Sequence, residues 1–193
     1  LNHSRDFNSS DPDASPANLN RFFPGNEEGD AANRYLYRLW NHLLKPNADF
    51  AVDLHTQTRG STYPLYVFAD FRLDKALEMA RLIEPDVILN DPGDAGVLET
   101  VWNSSGIPSI PIEVGMGKIT QPELIERTVT GVQQILINNE MLDGAVKVVE
   151  PCQLEGQSIT TVRARQGGFV IPEVSLLQPV EEGELLAKQF DAF

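Results

Sequence analysis

One histidine at the end of an apolar run is the first residue whose surroundings suggest chemistry. His55 lies in the segment AVDLHTQTRG (51–60), with Asp53 two residues before it and Arg59 four residues after it. Residues two apart on a strand share a face, so the Asp53 carboxylate can orient the His55 imidazole, as carboxylates do for histidines that bind metals. From this segment alone, a half-buried histidine that hydrogen-bonds its own surroundings is the favoured interpretation.

A carboxylate at the end of a second apolar stretch is the next candidate. Glu113 follows IPSIPI (107–112) and precedes Gly115. A carboxylate at the end of a buried strand is unfavourable unless it is paired, protonated or bound to something. A raised pKa is also what a general base needs. The alternative is a glutamate that simply reaches solvent.

An amide and a guanidinium lie side by side in NLNRFFPG (18–25), as Asn20 and Arg21. Arginine binds a carboxylate through two parallel hydrogen bonds, and asparagine can add one more donor. The alternative is a surface arginine above an aromatic pair. Arg5 and Arg59 are further cations near these segments, and each by itself is most simply a solvated surface residue.

Alternating helix and strand patterns position these residues. Apolar spacing predicts helices over 30–44 and 73–83, and a third helix that starts at a capping box, Thr120–Glu123, and ends near 138–144. Strands are predicted over 49–55, 63–69, 86–89 and 109–114. This alternation indicates an α/β sandwich around a mostly parallel or mixed sheet.

The pattern changes after Gly144, where no helical periodicity remains. Short strand candidates separated by Gly, Pro and acidic turns lie at 146–149, 158–165, 168–174 and 184–190. We therefore predict two units, an α/β domain over 1–144 and a small β-barrel-like module over 145–193.

Composition limits the partners. The net charge of -13 argues against nucleic acid or an anionic membrane as the main partner, since phosphate binding needs a surplus of Lys and Arg. A single cysteine excludes an intrachain disulfide and fits a reducing, cytoplasmic location. No apolar run reaches the roughly 18 residues of a membrane helix. Serine-nucleophile, phosphate-loop, dinucleotide and CxxC motifs are also missing.

In combination the motifs are far more specific than alone. NLNRFFPG (18–25), DLHTQTRGS (53–61) and IEVG (112–115), in this order, resemble the succinylglutamate desuccinylase/aspartoacylase family. VRARQGGF (162–169) and VEEGELLA (180–187) resemble the β segment that ends members of that family. The resemblance implies a zinc-carboxypeptidase-like α/β fold, a mixed sheet flanked by helices, followed by a small all-β module.

The resemblance also assigns a metal centre. His55 matches the third zinc ligand, and Asp53 lies where a partner that orients the ligand is expected. Glu113 matches the general base that takes a proton from the metal-activated water. Zinc suits such a reaction because it lowers the pKa of a water from about 15.7 toward about 7.

The remaining cations match substrate contacts of the family. Asn20 and Arg21 match the pair that holds the substrate carboxylate. Arg5 matches, with a longer spacing, the arginine that polarises the scissile carbonyl, and Arg59 is implied to line the pocket.

The sequence departs from the family at one point. Members supply two further zinc ligands as a His-x-x-Glu pair upstream of the Asn-Arg motif, and this chain has no such pair. Because a catalytic zinc needs three protein ligands, we expect both missing ligands upstream of Leu1. We also expect truncation at the C-terminus. The chain alone is expected to bind zinc weakly or not at all, and to need an N-terminal segment or self-association.

The expected function is a zinc-dependent hydrolase, a deacylase of a small N-acyl compound that bears a carboxylate. A metallocarboxypeptidase that removes a C-terminal residue is an alternative with the same residues and a different pocket width. A non-catalytic binding module with a lost metal site is the third possibility. Expected partners are an acyl-amino-acid-like or peptide substrate and a second copy of the chain.

Overall fold

The computed structural model describes residues 18–58, 60, 62–147 and 154–191. Arg5 and Arg59 therefore lie outside the described residues, as does the second half of the strand candidate at 146–149.

A five-stranded mixed sheet forms the centre of the fold. Its strands are β1 (Ala51–Gln57), β2 (Leu65–Ala69), β3 (Val87–Asn90), β4 (Ser109–Met116) and β5 (Glu155–Gly156). Their order across the sheet is β1-β4-β2-β3-β5. β4 pairs in parallel with β1 and antiparallel with β2, whereas β3 pairs in parallel with both β2 and β5. The predicted α/β class with a mixed sheet is confirmed.

Within the described part of the chain, four α-helices surround this sheet. They are α1 (Ala31–Arg38), α2 (Asp74–Leu82), α3 (Leu98–Ser104) and α4 (Pro122–Asn138). α1 begins where the Asp30 side chain accepts a hydrogen bond from the Asn33 amide at 2.9 Å, and it continues as a π-helical turn over Leu39–Leu44. The sequence pattern predicts the other helices but assigns no element to α3.

The start of α4 differs from the prediction. The capping box places Thr120 at the start of this helix, but the capping position is Gln121, which makes no side-chain capping bond to the described residues. The Gln121 side-chain oxygen instead accepts a hydrogen bond from the Met116 amide at 2.8 Å, which ties the helix start to the end of β4.

The described residues form two apolar clusters. The larger one packs α2 and α4 against one face of the sheet, with Leu65, Val67, Met79, Ile112 and Ile135 among its fully buried members. The smaller one joins α1, the π-helical turn and α3 through Phe23, Leu36, Trp40 and Trp102. The Trp40 and Trp102 rings meet edge to face with centroids 4.6 Å apart.

The C-terminal region contains a two-stranded antiparallel sheet of β6 (Phe169–Pro172) and β7 (Ala187–Phe190). The strand predicted over 158–165 is wrong, since these residues, all of them described, form no regular element. β5 falls in the range predicted for the second module, yet it pairs with the α/β sheet. The division at residue 144 and the barrel-like module stay predictions. None of the helices in the described part of the chain has the length and apolar character to cross a bilayer.

Candidate active site

Alternate residues of three strands place polar and aromatic side chains on the sheet face opposite the larger apolar cluster. Asp53 and His55 come from β1, Glu113 from β4, and Tyr66 and Phe68 from β2. The intervening positions of β2 and β4 point into the core, because successive side chains of a strand alternate in direction. In the parallel pair of β1 and β4, His55 lies opposite Glu113.

His55 is oriented by its neighbour on the same strand. Its Nε2 lies 2.8 Å from Oδ2 of Asp53, and the imidazole is 37% exposed. The hydrogen bond to Asp53 raises the pKa of His55, and burial opposes that rise. Within the described residues, Nδ1 has no hydrogen-bond partner, so the ring presents one free nitrogen.

Glu113 is a buried carboxylate with an incomplete set of partners. The residue is 9% exposed, and its Oε2 has no hydrogen-bond partner among the described residues. Burial raises the pKa of Glu113, while the charge of His55 and a hydrogen bond from Gln57 oppose the rise. Glu113 thus combines a carboxyl oxygen that lacks a partner among these residues with a pKa above its usual value.

Gln57 is a residue that the sequence interpretation missed. Its Nε2 donates to the Tyr66 hydroxyl at 2.6 Å. A hydrogen bond from the same side chain also lowers the pKa of Glu113. Burial and the charge of Glu113 raise the pKa of Tyr66 to about 12, so this hydroxyl stays protonated. The two-residue period after His55 was the available signal, but the shift in register between His55 and Gln57 has no local signature.

Asn20 and Arg21 lie in a short 3-10 turn, Leu19–Arg21. The Asn18 side chain accepts a hydrogen bond from the Asn20 amide at 3.1 Å and thereby caps the turn. Oδ1 of Asn20 accepts one from the Leu98 amide at 2.7 Å, so the turn is fixed to the start of α3. This bond uses the oxygen of the Asn20 side chain, whose Nδ2 donor has no hydrogen-bond partner among the residues that the structure describes.

These elements enclose a cavity of about 280 Å³. Five of the seven residues singled out from the sequence line it, namely Asn20, Arg21, Asp53, His55 and Glu113. Its other lining residues are Phe68, Asp91, Asp94, Val97, Glu99 and Pro111. Asp91 and Asp94 lie in the loop directly after β3, and this position at the end of a predicted strand was a usable signal. No comparable signal pointed to Glu99, because the sequence pattern assigns no element to α3.

One side chain that lines the cavity has the chemistry of a metal ligand. Within residues 18–58, 60, 62–147 and 154–191, no cluster of three or more His, Cys, Asp or Glu side chains is arranged to hold a metal ion. His55 nevertheless fits one zinc position, because Nε2 bonds a carboxylate and the other ring nitrogen has no hydrogen-bond partner in the described part of the chain. The Glu113 carboxyl group, which lines the same cavity, fits a base beside such a centre.

A backbone contact holds the loop after β3 against the Asn20–Arg21 turn. The Phe23 amide donates to the Gly96 carbonyl at 3.0 Å. Gly96 has a φ of +84°, and a Cβ built on it would lie 2.2 Å from the carbonyl oxygen of Arg21. Only glycine satisfies both conditions without displacing the turn.

Gly96→Ala should therefore destabilise the fold. Gly106→Ala is a matched control, since Gly106 has a φ of +78° and a Cβ added to it would meet no described atom within 4 Å. The control should cost about 1–2 kcal/mol from backbone strain. Gly96→Ala should cost a further 1–3 kcal/mol or so from the steric clash. Denaturant unfolding of both variants measures the difference, and equal losses would contradict the close packing.

Comparison with known proteins gives a family match. The model of the succinylglutamate desuccinylase/aspartoacylase catalytic domain matches residues 10–138. The N-alpha-acetyl-L-2,4-diaminobutyric acid deacetylase of Halomonas elongata is 27% identical over 186 residues, covering 90% of this chain and 54% of that protein.

Solved structures share the fold. The apo structure of an ectoine utilization protein from Ruegeria pomeroyi superposes with a TM-score of 0.79 at 20% identity, over 95% of this chain and 61% of that one. A succinylglutamate desuccinylase from Silicibacter gives a TM-score of 0.74 at 23% identity, over 91% of this chain and 55% of that one. The chain thus spans little more than half the length of these relatives.

Proposed function

Because the chain belongs to the succinylglutamate desuccinylase/aspartoacylase family, we propose that the whole protein is a zinc-dependent hydrolase. Its reaction is cleavage of the amide bond in a small N-acyl compound that bears a carboxylate. The main support is one cavity lined by an amide and guanidinium pair, Asn20 and Arg21, by a largely buried carboxylate, Glu113, and by an oriented imidazole, His55.

Each residue has a defined part in this mechanism. Arg21 and the free donor of Asn20 bind the substrate carboxylate and fix the acyl group near Glu113. Glu113 takes a proton from the attacking water and returns it to the departing nitrogen. His55 holds zinc together with two ligands from outside the described residues, and Asp53 fixes the ring. Zinc, when bound, activates water and polarises the acyl carbonyl.

The residues outside the described structure complete the proposal. Arg5 stabilises the charge that develops on the carbonyl oxygen, and Arg59 lines the pocket. We further propose a cytoplasmic protein that acts on small molecules and has neither nucleic acid nor membrane as a partner. The charge of -13 and the single cysteine support this part.

The name of a relative favours an N-acyl amino acid over a peptide as the substrate. The Halomonas relative is, by name, a deacetylase of an N-acetylated amino acid. The carboxypeptidase alternative would need a wider site.

Hydrolysis assays on the full-length, zinc-loaded protein test the proposal. We expect turnover of N-acetylated amino acids, loss of turnover after chelation and recovery with added zinc, with little cleavage of short peptides. Absence of a His-x-x-Glu pair from the upstream reading frame, together with no turnover, would favour the non-catalytic binding module.

Asp53→Asn should weaken zinc binding by about 10–100-fold, because the amide no longer fixes the charge and tautomer of the His55 ring. Competition with a chromogenic chelator measures the affinity in the full-length protein. Asp143→Asn, at an exposed aspartate beyond α4, is the matched control and should bind zinc like the wild type. Equal affinity in the two variants would remove Asp53 from the site.

A further inference from the structure

A side-chain hydrogen bond near the carboxylate of Glu113 spans three strands of the sheet. Nε2 of Gln57, in β1, donates to the Tyr66 hydroxyl, in β2, at 2.6 Å. β4 lies between these two strands, and neighbouring strands are about 4.8 Å apart, so the two side chains meet across β4. The β4 residue opposite Tyr66 is Glu113. The Gln57 amide therefore lies over the strand that carries this carboxylate.

The main chain fixes the position of Gln57. Its carbonyl accepts a hydrogen bond from the Gly117 amide at 2.7 Å, and in the ladder the residue pairs with Met116. The register of β1 against β4 shifts between His55 and Gln57, so this pairing sets the end of β1 separately from the pair of His55 with Glu113. The Gln57 side chain thus starts from a backbone that is held on both sides of the register shift.

The amide nitrogen of Gln57 has donors for two partners. A glutamine side chain carries two N–H donors, and the Tyr66 hydroxyl accepts one of them. Glu113 receives a hydrogen bond from the same side chain, which lowers the pKa of Glu113 against the larger effect of burial. The Tyr66 hydroxyl stays protonated, since burial raises its pKa to about 12. Because the amide does not titrate near neutral pH, it offers its second donor to Glu113 whatever the pH of the solution.

A neutral donor suits a carboxylate that has to accept a proton. Within the described part of the chain, no ion pair includes Glu113. A lysine or arginine beside this carboxylate would favour its charged form more strongly and would make it a weaker base. An amide fixes the carboxyl group with a smaller loss of basicity. Gln57 and Tyr66 are not among the described residues that line the cavity, so their effect on a bound ligand passes through Glu113.

We propose that Gln57 is a positioning residue for Glu113, and that the Tyr66 hydroxyl holds the Gln57 amide in the orientation that this role requires. The inference rests on the proposed function, since it concerns the base of the same reaction. It adds to the reacting groups a hydrogen-bonded pair that lies outside the cavity. If Gln57 and Tyr66 only joined two strands, their loss would change the stability of the fold and leave the reaction as it is.

Kinetics of the full-length, zinc-loaded protein on an N-acetylated amino acid test this inference. Gln57→Met keeps the length of the side chain and removes both donors, so kcat should fall about 10–100-fold, the range of a hydrogen bond to a charged group. KM should stay within about twofold, and the zinc content at the wild-type level. Tyr66→Phe should lower kcat about 2–10-fold. The double variant should lose no more than Gln57→Met alone, because Tyr66 acts through Gln57. Gln133→Met makes the same change at an exposed position of α4 and should match the wild type.

An unchanged kcat in Gln57→Met, or a loss that appears in KM alone, would overturn the inference while the hydrolase proposal stands. Additive losses in the double variant would overturn the part assigned to Tyr66. If Gln57→Met does not fold, Gln57→Asn takes its place with the same expected loss, since an amide that is one methylene shorter does not span both partners.

Nuclear magnetic resonance of the full-length protein, isotope-labelled only in its glutamine residues, decides the inference without any turnover. The side-chain signals of Gln57 are those missing from the Gln57→Met or Gln57→Asn protein. Glu113→Met removes the acceptor and should move one Gln57 proton signal upfield, more than the signals of the other glutamines, whereas Glu126→Met on α4 should leave it in place. An unmoved signal in Glu113→Met would overturn the inference. If no acyl compound is hydrolysed, the hydrolase proposal fails, and this measurement still shows whether Gln57 holds Glu113.

Discussion

Glu113→Gln in the full-length protein should lower kcat by about 10²–10⁴-fold while the zinc content stays at the wild-type level. The amide has nearly the shape of the carboxylate, so it preserves the packing of a residue that is 9% exposed. It cannot accept a proton from water at neutral pH, and the proposed mechanism depends on that transfer. The loss should appear in kcat more than in KM, because substrate binding is assigned to Asn20 and Arg21.

Steady-state kinetics and metal analysis on the same preparation measure both parts of this prediction. Glu126→Gln is the matched control, since it makes the same chemical change on an exposed helix position. A Glu113→Gln protein with the turnover of the wild type would show that another group is the base. Loss of zinc together with turnover would instead make Glu113 part of the metal site.

His55→Ala should produce the second large effect, a fall in zinc affinity on the order of 100-fold with a parallel loss of activity. A four-ligand zinc site is worth roughly 10–16 kcal/mol, so one ligand accounts for about 3 kcal/mol. His42→Ala is the matched control. His42 lies exposed in the π-helical turn after α1, where its ring packs edge-on to Tyr37 and does not line the cavity.

Zinc affinity measured by chelator competition separates the two histidine variants. The His42→Ala protein should match the wild type. If His55→Ala binds zinc as tightly as the wild type, then His55 is the half-buried structural histidine that the AVDLHTQTRG segment alone favoured.

Side-chain direction within a strand was predictable from the sequence. Asp53 and His55 share a face because the strand period is a property of the backbone, so their contact of 2.8 Å required no knowledge of the rest of the fold. The pairing of β1 with β4, which sets His55 opposite Glu113, connects distant segments. Family resemblance, not local pattern, brought those two residues into one hypothesis.

The helix α3 and the segment 158–165 were assigned wrongly because the local sequence lacks the information that decides them. α3 has seven residues, and its capping residue, Val97, makes no side-chain hydrogen bond, so the sequence carries no start signal. Residues 158–165 contain β-branched side chains but form no strand, and Ile159 and Val162 remain 64% and 73% exposed. A strand needs a partner to complete its hydrogen bonds, and local propensity does not supply one.

The attachment of the loop after β3 has a consequence for how this protein could diversify. The contacts that hold it use main-chain atoms of the loop and of the α3 start, the Gly96 carbonyl and the Leu98 amide. The register of β1 with β4 independently fixes His55 opposite Glu113. A substitution at Asp94, whose side chain takes part in neither contact, therefore leaves both arrangements intact. Because main-chain atoms hold the segment, side chains in it can vary in evolution or design. The lining of the cavity then changes while His55 and Glu113 keep their spacing.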